Sequence, residues 1–131
     1  MHDYLIVGAG SAGCVLAARL GEEADARVAV IEAGPPDTDP EIHMPLAFGQ
    51  LLKSRVDWDF ATEPESWLND RRVYLPRGRM LGGSSSLNAM IYMRGQRLDY
   101  DEWRALGLDG WGYADVLPYF KRAEDNERGA S

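Results

Sequence analysis

Near the start of the chain, six residues have the types and spacing of a turn that binds a pyrophosphate: Gly8, Ala9, Gly10, Ser11, Ala12 and Gly13. In the pattern G-x-G-x-x-G, the first glycine permits a tight turn, the second lets the backbone approach the phosphates, and the third allows close helix packing. The N–H groups at the helix N-terminus then face the anion. We call residues 8–13 the fingerprint loop, and it predicts a nucleotide-binding site.

An acidic residue, Glu32, lies about 20 residues beyond the fingerprint loop, where dinucleotide-binding folds carry the carboxylate that binds the adenosine ribose. A carboxylate there accepts hydrogen bonds from both ribose hydroxyls and repels a 2′-phosphate, which disfavours NADP. Both FAD and NAD satisfy this pattern. A glycine-rich turn in an unrelated α/β domain is the alternative.

A second glycine-rich stretch, residues 77–88, has the sequence RGRMLGGSSSLN, and we call it the signature loop. Gly82 and Gly83 allow unusual backbone angles and the close approach of a ligand. Ser84 and the serines after it supply hydroxyls and helix caps, and Asn88 can both donate and accept. A second glycine-rich anchor beside a nucleotide-binding unit favours a long cofactor such as FAD. A tight turn with a serine cap is the alternative.

These loops need a strand, a helix and a second strand to position them. Residues 4–7 form a short apolar run bounded by glycine, which is typical of a buried parallel strand. Residues 14–20 have helical spacing and end at Gly21, and residues 27–31 form a second β-rich run. The pattern predicts a βαβ unit of an α/β, Rossmann-like fold with a parallel sheet.

Prolines interrupt the chain after this unit, so we expect a mainly irregular excursion. Further elements are expected at residues 48–53 (a helix), 57–62 and 72–75 (strands), and 84–93, 98–106 and 115–124 (helices). Pro118 is expected in the first turn of the last helix.

Composition narrows the function classes. The chain has 131 residues and a formal net charge of −7, so its length fits one domain and its acidity disfavours nucleic acid as a partner. The single cysteine, Cys14, cannot form an internal disulfide, which fits a reducing compartment. No segment has the pattern of a secretory signal or a membrane span, and no histidine and cysteine spacing suits a metal. We expect a cytoplasmic protein without a metal ion or a membrane anchor.

Residues 78–101 resemble the first signature of the glucose–methanol–choline (GMC) oxidoreductase family. The matching residues are Gly78, Arg79, Leu81, Gly82, Gly83, Ser84, Ser85, Leu87, Asn88, Tyr92, Gly95 and Asp101. Residues 8–20, 57–65 and 111–124 also resemble that family, in particular its choline-dehydrogenase-like alcohol dehydrogenases. The resemblance therefore extends along the whole chain.

The resemblance implies an FAD domain with a separate substrate domain, and hydride transfer from an alcohol carbon to flavin N5, which gives an aldehyde or ketone. The histidine that accepts the hydroxyl proton is expected beyond residue 131, so no catalytic residue is expected in this chain. The residues expected to bind the cofactor are Gly8, Gly10, Ser11, Ala12, Gly13, Glu32, Ala33, Arg79, Leu81, Gly82, Gly83, Ser84, Asn88, Ala89, Met90 and Ile91.

The resemblance also bears on how FAD is attached. Some family members link FAD covalently through a histidine directly before the signature asparagine. Leu87 holds that position here, and leucine has no nucleophile. FAD is therefore expected to bind without a covalent link.

The same resemblance divides the chain into parts of an incomplete FAD-binding domain that lacks its substrate domain. The parts are a βαβ unit (1–33), an excursion (34–76), a flavin-binding signature segment (77–95) and a helical segment (96–131). Because parallel sheets are covered on both faces, we expect the chain to depend on a C-terminal portion of the enzyme. A small alcohol is the expected substrate of a dehydrogenase or oxidase.

Other functions stay open at this point. Some relatives that share the cofactor are lyases or light-driven decarboxylases, and their deciding pocket residues would lie outside this chain. A nucleotide-binding module without catalysis is another possibility. An NAD-dependent dehydrogenase would also carry the fingerprint loop, although the signature loop disfavours it.

Overall fold

The structure, a computed structural model, describes residues 1–124. The described residues form two compact units, Met1–Ile91 and a second that begins at Tyr92. The end of the helical segment expected at 96–131 lies outside the described residues. Within residues 1–124, no helix is both long enough and apolar enough to cross a membrane.

The first unit begins with the predicted strand, helix and strand. Strand β1 (Tyr4–Val7) pairs in parallel with strand β2 (Val28–Ile31), and helix α1 (Ser11–Leu20) connects them. The predicted Rossmann-like α/β fold with a parallel sheet is confirmed. Helix α1 begins at Ser11, earlier than residue 14, because the second half of the fingerprint loop already has helical backbone.

The parallel sheet consists of two strands within the described residues, and it exposes much of its apolar surface. Val7 is 82% exposed, Leu5 61% and Ile31 53%. Ile6 alone among the strand residues is buried. Parallel sheets are normally covered on both faces, whereas within the described residues this one is largely exposed.

The excursion is mainly irregular, as expected. It contains 3-10 turns at Pro40–His43, Pro45–Ala47 and Ser66–Leu68, helix α2 (Phe48–Leu51), and the antiparallel strands β3 (Phe60–Ala61) and β4 (Tyr74–Leu75). The helix expected at 48–53 and the strands expected at 57–62 and 72–75 are present but shorter.

The hydrophobic core of this unit lies where the excursion meets the signature loop. Leu51, Val56, Met80 and Leu87 are buried in one cluster, and Met80 is fully buried. Two of these side chains come from the excursion and two from the signature loop. Their packing therefore joins segments that are separate in sequence.

A buried carboxylate, Asp57, lies one residue beyond this core and is only 6% exposed. Its Oδ1 atom accepts the N–H groups of Asp59 at 3.1 Å and Arg77 at 3.0 Å. Its Oδ2 atom accepts the N–H group of Lys53 at 2.8 Å and the hydroxyl of Tyr74. Burial alone would raise the pKa of Asp57, but these hydrogen bonds outweigh it and lower the pKa to about 2.

The prediction of a helix at residues 84–93 is wrong. A 3-10 turn, Gly83–Ser86, begins at the second glycine of the pair, and residues 89–96 have no regular structure. The left-handed backbone of Met90, at φ 57°, cannot continue a helix. The Asn88 side chain stabilises this turn, because its Oδ1 accepts the N–H group of Met90 at 2.7 Å.

The second unit, as far as it is described, is a pair of helices, α3 (Arg97–Ala105) and α4 (Tyr113–Ala123). Asp101 joins them, because its Oδ1 accepts the N–H group of Tyr113 at 3.1 Å. Pro118 lies inside α4 and not in its first turn as predicted, because α4 begins two residues earlier than expected.

Aromatic rings pack around Tyr100 on α3. Its ring centroid lies 5.2 Å from that of Trp103 and 5.7 Å from that of Phe120, both edge to face. Gly95 gives this ring room, because a Cβ atom there would lie 2.5 Å from the Tyr100 hydroxyl oxygen. This contact gives a structural reason for one glycine of the family signature.

The hydrogen bonds of Asp57 should make stability depend on pH in acid. Since its folded pKa of about 2 lies below the ordinary 3.8, the stabilisation is complete above about pH 4 and is lost as the pH falls towards about 2. The free energy of unfolding, measured by urea titration, should lose roughly 2 kcal/mol from this group across that window. Asp57→Asn should remove this part of the pH dependence. The exposed Asp25→Asn, the control, should leave it; equal profiles for the two variants would contradict the assignment.

Candidate functional site

The fingerprint loop turns sharply from β1 into α1. Gly8 has φ 95°, in the left-handed region that favours glycine. A Cβ atom on Gly13 would lie 1.9 Å from the Gly8 carbonyl oxygen. The first turn of α1 therefore packs directly against the turn that precedes it, as the spacing of these glycines predicts.

The N-terminus of α1 presents backbone N–H groups that make no intrahelical hydrogen bond. Its first i to i−4 hydrogen bond runs from the Cys14 N–H group to the Gly10 carbonyl at 2.9 Å. The N–H groups of Ser11, Ala12 and Gly13 come before that bond, and no side chain caps the helix. A Cβ atom on Gly10 would meet nothing nearer than 3.9 Å. The space in front of these N–H groups suits a pyrophosphate.

Glu32 follows β2 and reaches back to the fingerprint loop. Its Oε2 atom accepts the Ala9 N–H group at 2.8 Å, and its Oε1 atom accepts the Gly34 N–H group at 2.9 Å. Partial burial alone would raise the pKa of Glu32, but the backbone hydrogen bonds lower it overall. Each carboxylate oxygen keeps a second lone pair, so ribose hydroxyls can be accepted beside these bonds. Ala33, next in sequence, is exposed.

The signature loop contacts the fingerprint loop through backbone atoms. The Gly82 N–H group donates to the Ala9 carbonyl oxygen at 2.8 Å, and Gly10 and Gly82 form a parallel bridge. A Cβ atom on Gly83 would lie 2.9 Å from the Cα atom of Gly10. The two glycine-rich motifs thus form a single continuous surface.

A second contact ties the signature loop to the segment after Glu32. The Leu81 N–H group donates to the Pro35 carbonyl at 3.0 Å. A Cβ atom on Gly34 would lie 2.2 Å from the carbonyl carbon of Arg79. The Arg79 guanidinium lies 5.1 Å above the ring centroid of Trp58, so a cation–π contact holds it.

The end of the signature loop is a turn with an open side. The Ser84 hydroxyl accepts the Gly78 N–H group at 3.1 Å, so it stabilises the loop and does not cap a helix. Asn88 also stays inside the turn, because its side chain binds Met90. Ala89, Met90 and Ile91 are exposed.

Leu87 faces the protein and not the open side. It is 4% exposed and packs with the buried cluster around Met80. An open cavity of about 390 Å³ lies beside it, lined by Phe48 and Leu52 of the excursion and by Asn88 and Ala89.

Comparison with known proteins decides the family. The family model described as GMC oxidoreductase matches residues 2–128. The chain belongs to the GMC oxidoreductase family. The predicted resemblance to that family is thereby confirmed.

Three relatives illustrate the match of this GMC oxidoreductase chain. An alcohol dehydrogenase [acceptor] of Pseudomonas putida is 51% identical over 129 residues, which cover 98% of this chain and 23% of the relative. An oxygen-dependent choline dehydrogenase of Sinorhizobium fredii is 50% identical over 128 residues, which cover 97% of this chain and 23% of the relative. The crystal structure of pyridoxine 4-oxidase from Mesorbium loti aligns with a TM-score of 0.88 at 46% identity. The alignment covers 92% of this chain and 24% of that chain. The chain therefore spans about a quarter of the length of these relatives.

The structure brings together most of the residues that the GMC signature and the fingerprint predict. The fingerprint loop, Glu32 and the signature loop from Arg79 to Gly83 are joined by direct contacts. The list of expected cofactor-binding residues omits Ala9, whose N–H group and carbonyl oxygen are both used in this junction, and Pro35. Among residues 1–124, no cluster of His, Cys, Asp and Glu could hold a metal ion.

The junction between the two loops should not tolerate a side chain at Gly83. Gly83→Ala places a Cβ atom against the Gly10 backbone at a residue with φ 55°, so it should lower the free energy of unfolding by about 1–3 kcal/mol. Gly49→Ala in α2, where a Cβ atom meets nothing within 4 Å, is the matched control and should change it by less than about 0.5 kcal/mol. Urea unfolding followed by tryptophan fluorescence measures both. Equal stability of the two variants would show that the loops do not touch.

Proposed function

We propose that this chain is the FAD-binding N-terminal portion of an oxidoreductase that acts on CH–OH groups, by hydride transfer from an alcohol to flavin N5. The observation that supports it most directly is the hydrogen bond from the Gly82 N–H group to the Ala9 carbonyl oxygen. This bond places the N-terminus of α1, which suits a phosphate group, beside the signature loop. A cofactor with a nucleotide end and a separate ring system needs both.

Each part of the junction has a role in this proposal. The N–H groups of Ser11, Ala12 and Gly13 bind the pyrophosphate, and the Glu32 carboxylate accepts the ribose hydroxyls. The exposed turn at residues 88–91 and the glycines before it line the flavin end. When bound, FAD supplies the hydride acceptor; the chain binds and orients it.

Alcohol chemistry for the whole protein is supported by the relatives. Alcohol dehydrogenase, choline dehydrogenase and pyridoxine 4-oxidase are named for substrates that carry a CH–OH group. We propose a small alcohol as the substrate and a histidine from the rest of the enzyme as the base. The exposed apolar residues of β1 and β2 are the surface that we expect this further polypeptide to cover. The cytoplasmic location stays a prediction, tested by cell fractionation.

The function is tested on the protein purified from its native cells. It should show the visible absorption of oxidised flavin, and anaerobic addition of the correct alcohol from a panel should bleach that absorption. Flavin without bleaching by any alcohol would favour a lyase, a decarboxylase or a module without catalysis. Bound NAD without flavin colour would overturn the proposal.

A matched pair of variants separates loss of the cofactor from loss of the fold. Gly10→Ala should leave the thermal midpoint unchanged, because its Cβ atom has open space. It should nevertheless weaken FAD binding by at least about tenfold, since the methyl group stands where the backbone must approach the pyrophosphate. Gly49→Ala should change neither quantity.

Attachment of the flavin is tested by acid precipitation of the same material. Leu87 stands at the position of the covalent histidine and is buried against the core, so it offers no nucleophile to the flavin. All yellow colour should pass into the supernatant. Colour that stays with the precipitated protein would show a covalent link and contradict this prediction.

A further inference from the structure

In the first unit, the side chain that makes the most hydrogen bonds lies outside both the fingerprint loop and the signature loop. Asp57 is buried and accepts four hydrogen bonds, from Lys53, Asp59, Tyr74 and Arg77. Three of the donors are backbone N–H groups. A carboxylate that satisfies backbone donors from three places fixes the path of the chain at each of them.

Two of these donors belong to residues with left-handed backbone. Lys53 has φ 57° and Asp59 has φ 50°. Such a conformation costs a non-glycine residue roughly 1 kcal/mol or more. The hydrogen bonds to Asp57 offset that cost, so the carboxylate determines the conformation on both sides of itself.

The third backbone donor, Arg77, opens the signature loop. Residues 56–58 pair in antiparallel fashion with residues 77–79: the Trp58 N–H group donates to the Arg77 carbonyl at 2.9 Å, and the Arg79 N–H group donates to the Val56 carbonyl at 2.7 Å. The carboxylate of Asp57 closes this pairing by accepting the Arg77 N–H group. The start of the signature loop is therefore held by side-chain and backbone bonds together.

Backbone contacts connect this start of the signature loop to the glycines that contact the fingerprint loop. Gly78 donates its N–H group to the Ser84 hydroxyl, and a Cβ atom on Gly78 would lie 2.2 Å from the Gly83 carbonyl oxygen. Gly78 and Gly83 thus touch through their backbones. We expect a shift at residue 77 to be felt at Gly83, whose backbone lies against Gly10.

The adenosine half of the site is held in a different way. Glu32 binds the Ala9 and Gly34 N–H groups, and α1 packs on Gly8, without any bond to Asp57 among the described residues. The adenosine half therefore has hydrogen bonds of its own that do not include Asp57, although the two loops meet at the Gly82 to Ala9 hydrogen bond.

We propose that Asp57 is a positioning residue for the flavin half of the cofactor site: it sets the signature loop against the fingerprint loop and affects the adenosine half, which has hydrogen bonds of its own, much less. This inference rests on the proposed FAD function. It predicts that loss of the carboxylate uncouples the two halves of one binding site.

The test compares two ligands on Asp57→Asn and on the unchanged protein. ADP, which occupies only the fingerprint half, should bind with affinity within about twofold of the unchanged protein in calorimetry. FAD should bind at least about tenfold more weakly in a flavin fluorescence titration. Equal weakening of both ligands, or weakening of neither, would overturn the proposal.

A second measurement decides the inference without the cofactor. In Asp57→Asn, the amide hydrogens of Gly82 and Gly83 should exchange at least about tenfold faster, while those of β1 and β2 keep their rates. If the unchanged protein binds FAD no more tightly than ADP, the proposed function fails, and amide exchange still tests Asp57. Uniform acceleration across the unit would reduce Asp57 to a general stabilising residue.

Three further variants keep the proposal testable if Asp57→Asn does not fold. Tyr74→Phe removes one of the four hydrogen bonds and keeps the ring, so FAD affinity should fall by about threefold, in the same direction. Asp57→Glu keeps the carboxylate and should recover part of the loss. Asp59→Asn makes the same chemical change at an exposed neighbour and should have no effect on either ligand. A fall in affinity for Asp59→Asn equal to that for Asp57→Asn would contradict the assignment.

Discussion

The hydrogen bond between the Gly82 N–H group and the Ala9 carbonyl oxygen joins two loops that are far apart in sequence. The close approach of the two loops depends on the glycine at Gly83, because a Cβ atom there would lie 2.9 Å from the Cα atom of Gly10. The surface available to a dinucleotide exists only when both loops are in place. The irregular excursion between them supports this contact. Its core residues Leu51 and Val56 pack against the signature loop, and its buried Asp57 accepts a hydrogen bond from Arg77.

Carboxylates organise the backbone on both sides of this junction. Glu32 binds N–H groups of the fingerprint loop and of the segment after it, and Asp57 binds N–H groups of the excursion and the signature loop. In each, the hydrogen bonds outweigh burial and lower the pKa. Both groups therefore stay ionised near neutral pH, and their contribution is geometric. Among residues 1–124, no side chain caps the N–H groups at the start of α1, so they suit a bound anion.

The sequence specified those parts of the structure that depend on neighbouring residues. Hydrophobic runs and glycine spacing located β1, α1 and β2 within a few residues, because strand and helix signals are local. The helix expected at 84–93 is absent, since Asn88 binds the backbone of Met90 and ends the pattern there. The contact between the loops and the four bonds of Asp57 are long-range, and no periodicity encodes them. The available signal for Asp57 was a single acid between the apolar residues Val56 and Trp58.

The two parallel strands described earlier have a consequence for how this chain behaves in the cell. Their side chains are largely exposed, and short, apolar strands with free edges are templates for pairing with other chains. Exposed in this way, β1 and β2 can recruit a neighbouring molecule through their apolar side chains. Self-association should then rise with protein concentration, because each added molecule presents another exposed pair of strands.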